Sequence, residues 1–231
     1  MLLKTTRLVL GVLICIELVG CGGGGSSAAV GPMASNLEFP LKSAYSELTA
    51  AGFTKSFTIS GTCNGSANIT GSSASADTSF EGSAAISAVR TLTANFTDCS
   101  PASSAARSTQ YYDATYAPLG FSSLTEYGVF ASPSAIPKSV SVGSTGSLGF
   151  EDIYTDIRKT IRSGRADFSY VVEADTTTTA IVNLIIQRYD MSNALLYTEQ
   201  QRYRIATTGP LTPVSIDDQF ATTSNRHLVL Q

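Results

Sequence analysis

Strict alternation of apolar and polar residues runs through most of this chain and constrains its fold more than any other feature. Phe57 and Ile59 flank a threonine, and residues 168–172 repeat the same spacing much later in the chain. Such alternation is typical of strands with one buried face. Only 14% of the residues are charged, and serine and threonine fill most polar positions, which favours strands with hydroxylated outer faces. The pattern predicts an all-β protein, either an antiparallel β-sandwich or a barrel-like meander.

One short N-terminal helix is predicted before this β-rich region. Pro40 suits the start of a helix, and Gly52 suits the position after its end. The residues that share one helical face between them are Leu41, Ala44, Tyr45 and Leu48.

The first hairpin is predicted at Asn64-Gly65, a strong turn signal. A two-residue loop at this dipeptide would place Ile59 and Ile69 on opposite faces of the hairpin. An odd-length loop or a bulge is therefore predicted, because it returns both side chains to one face.

Two later segments leave alternatives open. Residues 80–96 fit one long bent strand or two strands with a turn near Arg90, with a helix as the competing interpretation. Residues 150–162 fit a helix or a hairpin that turns near Asp156, and we favour the hairpin because β-branched residues are frequent there.

The C-terminal third is simpler. Residues 181–186 are apolar on both faces except at Asn183, as in a central strand, and residues 190–193 supply turn chemistry. Residues 211–216 and 227–230 are predicted to add the closing strands.

The first residues have the organisation of an export signal. Lys4 and Arg7 precede an apolar run over residues 8–16, too short to span a bilayer, which needs about 20 residues. Residues 18–21, Leu-Val-Gly-Cys, then resemble the lipobox of bacterial lipoproteins. The resemblance implies cleavage before Cys21 and attachment of lipid, including palmitate-type chains, to its sulfur. A plain signal peptide in which Cys21 is incidental is the alternative.

This resemblance sets the predicted organisation of the chain. Residues 1–20 are the signal peptide, residues 21–36 hold the lipidated cysteine and a flexible Gly/Ser tether, and residues 37–231 form the β-rich domain. Prolines suggest a subdivision of that domain near residues 131–138. Gly22, rather than aspartate, follows the cysteine, which by the same resemblance implies the outer membrane.

Two cysteines remain once the predicted signal and the lipid have consumed Cys15 and Cys21. Cys63 and Cys99 are then expected to form a disulfide, since exported proteins fold in an oxidising compartment. A reduced buried pair and a metal site are the alternatives, and no CxxC spacing or histidine cluster supports a metal.

No motif for catalysis, a cofactor or a metal stands out. His227 is the only histidine, and no GxSxG motif precedes a helix, so we predict that the protein is not an enzyme and has no cofactor. The net charge of −3 disfavours nucleic acid as a partner. Two groups of acidic residues could bind calcium through their oxygen atoms, but a solvated acidic face is the simpler interpretation of each. The first group is Glu151, Asp152 and Asp156, and the second is Asp217 and Asp218.

The most suggestive cluster is aromatic, and Phe121 and Tyr127 follow it in the chain. Tyrosines combine an apolar ring with a hydroxyl, as surfaces that bind sugars or proteins do, and a carboxylate can accept hydrogen bonds from a glycan. Packing of these tyrosines in the core is the alternative. The candidate ligand-binding residues are Tyr111, Tyr112, Asp113 and Tyr116.

Three classes of function are consistent with these observations. The first is a non-catalytic, membrane-anchored protein of the cell envelope that binds a glycan or protein or has a structural role at the surface. The second is a subunit of an envelope assembly that docks on another protein. The third is a hydrolase with an unrecognised site, which the scarcity of histidine and nucleophile motifs disfavours.

Overall fold

The computed structural model describes residues 32–132, 136–221 and 226–231, which form an all-β fold with one helix. The predicted signal peptide and Cys21 lie outside these residues. The elements are α1 Leu41–Ala51, β1 Phe53–Gly61, β2 Gly65–Gly71, β3 Ser75–Phe80, β4 Ser83–Phe96, β5 Ser103–Tyr112, β6 Pro118–Ser123, β7 Tyr127–Phe130, β8 Thr145–Tyr154, β9 Arg162–Ala174, β10 Thr179–Tyr189, β11 Leu195–Ala206, β12 Thr212–Phe220 and β13 His227–Leu230.

Twelve antiparallel strands close into a barrel, and β3 is an additional strand that pairs only with β4. From β4 to β13 each strand pairs with the next one in the chain. The barrel closes because β1 pairs with β13 and β2 pairs with β4. The sequence left the choice between sandwich and barrel open, and these two pairings decide it.

The β1–β2 hairpin has the odd-length loop that the sequence predicted. Ile59 pairs with Gly65, which leaves the five residues 60–64 between them. Ile59 and Ile69 consequently share the inner face and belong to one buried cluster. The alternating serines and threonines of β1 are largely exposed, as expected for a hydroxylated outer face.

The predicted disulfide between Cys63 and Cys99 is present, with a Cα–Cα distance of 5.8 Å. It joins the β1–β2 turn to the β4–β5 turn. Asn64 reinforces this connection, because its backbone N–H donates to Asp98 Oδ1 at 2.7 Å.

The segment over residues 80–96 is neither a helix nor a pair of strands that turns at Arg90. β4 runs without a break through Arg90, and the turn lies at Glu81-Gly82 instead. The β3–β4 hairpin folds over the outside of the barrel, where the Phe80 ring stacks on Tyr111 with 4.5 Å between the ring centroids. Glu81 accepts a hydrogen bond from Tyr127 Oη at 2.7 Å, which fastens the hairpin tip to β7.

The other predicted turns are confirmed. β8 and β9 form a hairpin whose turn contains Asp156, where the side chain accepts a hydrogen bond from the Arg158 N–H at 2.9 Å. Asp190 organises the β10–β11 turn by accepting from the N–H groups of Ser192 and Ala194. β12 and β13 add the closing strands.

Helix α1 closes one end of the barrel, which we call the plugged end. The helix follows Pro40 and ends before Gly52, as predicted. Its apolar face packs on side chains that point inward from β9, β10 and β11. The main buried residues of this cluster are Leu41, Ala44, Leu48, Tyr170, Val172, Val182, Tyr203 and Ile205.

Residues 131–144 connect β7 to β8 within the same barrel, and Pro133 lies outside the described residues. The described residues before residue 37 already contact the barrel, since Met33 pairs with Asp175 and Ser35 Oγ donates to the Thr177 carbonyl at 2.9 Å. Within the described ranges, no helix has the length and apolar character needed to cross a bilayer.

Candidate functional site

The barrel encloses a cavity of about 680 Å³ between α1 and the opposite end, which we call the far end. Twelve strands make a wider barrel than the eight-stranded ones whose interior side chains can fill the space. Inward side chains from most strands form its walls. The apolar lining includes Leu48, Phe53, Leu92, Phe121, Phe130, Phe168, Leu184, Ile186 and Ile216.

Polar side chains interrupt this apolar wall at two places, which the strand register explains. Along β10 the inward positions continue from Leu184 and Ile186 to Arg188, and the residue paired with Ile186 on β11 is Glu199. Glu199 pairs in turn with Asp218 on β12. The charged groups therefore stand on the same inner face as the hydrophobic core.

The first polar group, the far-end cluster, surrounds the buried guanidinium of Arg188. Its Nη2 lies 3.0 Å from Glu126 Oε1 and donates to Ser163 Oγ at 3.2 Å. Its Nη1 donates to the Tyr189 carbonyl at 2.9 Å. Protein groups thus bind both terminal nitrogens of Arg188, and Glu126 provides its counter-charge.

Glu151 belongs to the far-end cluster but has no such partner. Its side chain is inward and buried, at 4% exposure, and lines the cavity. Among the described residues none forms a hydrogen bond with its carboxyl. Burial raises the pKa of this carboxyl to about 8, while the Arg188 guanidinium opposes the rise and Glu126 adds to it.

The second polar group, the central cluster, is built around Gln201. The Gln201 amide oxygen accepts from Tyr203 Oη at 2.7 Å and from Arg90 Nη1 at 3.4 Å. The Gln201 amide nitrogen donates to Glu199. Gln201 therefore links the guanidinium of β4 to the carboxylate of β11 across the barrel interior.

Asp218 completes the central cluster and is incompletely satisfied. Its Oδ1 is buried and has no hydrogen-bond partner among the described residues. Burial is the largest cause that raises the pKa of Asp218 to about 8; the Glu199 carboxylate raises it further, and Arg90 opposes. A carboxyl in this environment retains its proton at neutral pH.

The cavity reaches the surface through a gap in the barrel wall. β5 pairs with β6 only from Ser108 onward, so residues 103–107 have a strand neighbour on one side only. Across the gap lies the β6–β7 turn, where the Leu124 side chain is fully exposed. Both borders of the gap line the cavity, at Ala105, Ala106 and Arg107 and at Leu124, Thr125 and Glu126.

The aromatic residues that the sequence singled out do not form one surface. Tyr111 points outward onto Phe80, whereas Tyr112 points inward and contacts Tyr45 with ring centroids 6.4 Å apart. Asp113 is engaged by its own turn, where it accepts from the N–H groups of Thr115 and Ala117. Tyr116 occupies the same turn with a φ of 62°. Of the four candidates, Tyr112 lines the cavity.

His227 lies on the outer surface, where its Nε2 is 2.9 Å from Asp217 Oδ1. The structure describes no serine hydrogen-bonded to its ring, and no group of three or more His, Cys, Asp or Glu residues that could hold a metal lies within the described ranges.

The interpretation of the acidic groups as one solvated face is wrong for Glu151 and Asp218. Adjacent residues of a strand point to opposite faces. Asp152 and Asp217 therefore point outward, and their neighbours enter the barrel. Paired acidic residues within a predicted strand were the signal that could have identified these two interior carboxyls.

Comparisons of the chain with protein-family models, with curated proteins and with solved structures give no match.

Proposed function

We propose that this chain is a lipid-anchored protein of the cell envelope whose barrel binds a small, largely apolar molecule without chemically changing it. The observation that carries the proposal is the interior cavity. Its volume of about 680 Å³ lies within the range of about 300–1,000 Å³ typical of sites for small ligands. Its mostly apolar wall with a few polar groups is also the usual composition of such sites.

Interior carboxyls support binding over a purely structural role. A barrel selected only for stability would fill its interior with apolar side chains, because unpaired buried polar groups cost free energy. Glu151 and Asp218 instead face the interior without full hydrogen bonding. Groups of this kind are concentrated at functional sites.

The anchor is the part of the proposal that rests on residues 1–21. Incorporation of labelled palmitate into the full chain tests it, together with the distribution of the protein between membrane and soluble fractions. We expect Cys21→Ser to abolish labelling and membrane association, and Cys15→Ser, in the predicted signal, to leave both unchanged. Palmitate absent from the parent protein would refute the anchor.

Binding is tested with the full chain carrying Cys21→Ser, which removes the attachment sulfur but leaves residues 32–231 unchanged. The probe is N-phenyl-1-naphthylamine, an uncharged dye that fluoresces in apolar surroundings. We expect saturable binding with one site per chain. Fluorescence no greater than in buffer, from protein with a folded circular dichroism spectrum, would refute the cavity as a binding site.

A matched pair of substitutions tests whether the dye binds inside the barrel. Ala106 pairs with Leu92, so its methyl group faces the cavity beside the gap, whereas Thr109 points outward from the same strand. Ala106→Trp is expected to weaken dye binding at least tenfold, and Thr109→Trp to leave it unchanged. Because the chain has no tryptophan of its own, the emission of each new residue also reports whether it is buried.

Docking on another envelope protein is a second candidate function. The unpaired edge of β5 over residues 103–107 favours it, because free strand edges pair readily with other chains. A photo-crosslinking amino acid at Ala105 is expected to capture a discrete protein in intact envelopes if this edge docks. The control is the same amino acid at Thr54, which is exposed on β1 and should not capture that protein.

A further inference from the structure

The charges inside the barrel are unequal in number. Among the described residues, four carboxyl groups and three guanidinium groups line the cavity; the carboxyl of Glu126 and the guanidinium of Arg107 belong to the two borders of the gap. The carboxyl groups are those of Glu126, Glu151, Glu199 and Asp218, and the inward guanidinium groups are those of Arg90 and Arg188.

Protein contacts account for two of these carboxylates. Glu126 pairs with Arg188 at 3.0 Å, and Glu199 is linked to Arg90 through the Gln201 side chain. The Glu151 carboxyl and the Oδ1 atom of Asp218 have no hydrogen-bond partner among the described residues, although Glu151 is 4% exposed and Asp218 Oδ1 is inaccessible to water. Within the described ranges the lining therefore holds one more carboxyl than guanidinium groups, and two of its carboxyls lack a hydrogen-bonded partner.

We infer that the ligand of this barrel is an organic cation, an apolar body that carries a protonated amine, and that the carboxyls of Glu151 and Asp218 recognise its charge. The inference rests on the proposed binding function and specifies its ligand. A carboxylate or phosphate ligand would come close to the Glu126 and Glu199 carboxylates in a low-dielectric space, where repulsion between like charges is strong. An uncharged ligand could hydrogen-bond to the protonated carboxyls of Glu151 and Asp218 but would not supply the positive charge that pairs with a carboxylate.

The cavity walls suit an organic ammonium group better than a metal ion. Aromatic rings attract cations through their faces, and the lining includes the rings of Phe121, Phe168 and Tyr197. A metal ion would need several oxygen or nitrogen ligands close together, and the described residues contain no such group. The apolar majority of the wall instead suits a hydrocarbon body.

Binding of the ammonium group is coupled to release of a proton. At neutral pH the surplus carboxyl is protonated; when it meets the cation its O–H bond breaks, the proton passes to solvent, and a carboxylate–ammonium pair remains. The charged groups that act on Glu151 are Arg188 and Glu126, and those that act on Asp218 are Arg90 and Glu199 inside the barrel and Asp217 on its outer face. Release of one proton strengthens binding about tenfold per pH unit below the carboxyl pKa of about 8.

Three probes with the same chain separate the ligand class from binding itself. Decylammonium, decanol and decanoate are titrated calorimetrically into the full chain carrying Cys21→Ser. At pH 7 we expect decylammonium to bind at least tenfold more tightly than decanol, with decanoate weakest. The affinity for decylammonium should rise about tenfold from pH 6 to pH 7, and the affinity for decanol should not.

Matched variants assign this preference to the interior carboxyls. The double variant Glu151→Gln, Asp218→Asn is expected to bind decylammonium and decanol within about twofold of each other. The control is Asp152→Asn, which changes the outward neighbour of Glu151 and should retain the preference. Both substitutions of the test variant are nearly isosteric, and unfolding curves verify that it folds.

The outcomes distinguish this inference from the proposed function. Equal affinity for the three probes, tighter binding of decanoate, or a preference that survives in Glu151→Gln, Asp218→Asn would overturn the cationic ligand while the binding function stands. Binding of none of the probes, together with no binding of the uncharged dye, would overturn both.

Discussion

Replacement of Glu151 by glutamine should make this protein more stable, which is the opposite of the usual effect of a change in a buried residue. Glutamine has nearly the same shape as a protonated glutamate but cannot ionise. The substitution therefore removes only the free-energy cost of an ionised carboxylate in a buried site. In the folded protein burial raises the pKa of Glu151 to about 8, from an ordinary value of 4.5.

The expected magnitude depends on pH. Below pH 4.5 the carboxyl is protonated in both the folded and the unfolded chain, so it has no effect on stability. Between pH 4.5 and pH 8 the unfolded chain loses the proton and the folded chain keeps it, so stability falls as the pH rises. At 1.36 kcal/mol per pKa unit, the loss is about 3 kcal/mol at pH 7 and approaches about 5 kcal/mol above pH 8.

Urea unfolding followed by circular dichroism measures this effect. The parent and Glu151→Gln, both with Cys21→Ser and with the Cys63–Cys99 disulfide intact, are compared at pH 4.5, 6, 7 and 8. We expect nearly equal free energies of unfolding at pH 4.5 and an advantage for Glu151→Gln of about 3 kcal/mol at pH 7. The effect of Asp218 is common to both proteins and cancels in the difference.

A neighbouring substitution controls for position on the strand. Asp152→Asn changes the next residue of β8, which points outward and pairs with Arg162. Loss of this surface ion pair should cost about 0–1 kcal/mol and give no stabilisation at pH 7. A Glu151→Gln protein that is less stable than the parent at pH 7, or a difference that does not change with pH, would refute the burial of the Glu151 carboxyl.

Three further substitutions test the framework around the site. Cys63→Ser should lower the free energy of unfolding by about 4 kcal/mol, because the disulfide closes a loop across a sequence separation of 36 residues; denaturant unfolding with and without reductant measures this. Phe80→Ala should cost about 3–5 kcal/mol and increase amide exchange throughout β3, since that ring holds the outer hairpin against Tyr111. Gly120→Ala should lower the melting temperature by several degrees, because a Cβ there would lie 2.1 Å from the Gly128 carbonyl oxygen and the φ of +153° is unfavourable for alanine; an unchanged melting temperature would contradict the close approach of β6 and β7.

Much of the fold follows from local pattern. The helix at Leu41–Ala51, the hairpin that turns at Asp156 and the strands of the C-terminal third were predictable, because side-chain spacing reveals which face of a segment is buried. The odd-length loop before Gly65 was predictable for the same reason, since both flanking strands must present their apolar residues to one side.

The site was far less predictable. Arg90 and Arg188 occupy inward positions on strands whose other inward residues are apolar, so hydrophobicity alone does not assign them to the interior. The aromatic residue types over positions 111–116 predicted a common ligand-binding surface, yet Tyr111 and Tyr112 point to different sides of the sheet. Composition identifies residue types, whereas only register determines which of them meet.

The sequence by itself determined that this chain forms antiparallel strands with one helix, because side-chain periodicity is a local property, whereas the choice of Cys63 and Cys99 as the bridged pair rested on the resemblance of residues 18–21 to a lipobox. Only the tertiary structure decided that the strands close into a barrel around a cavity in which the carboxyls of Glu151 and Asp218 lack full hydrogen bonding. Closure depends on the pairing of β1 with β13, which lie at opposite ends of the described chain. Such long-range pairing results from the joint twist and register of all the strands, and no segment contains that information alone.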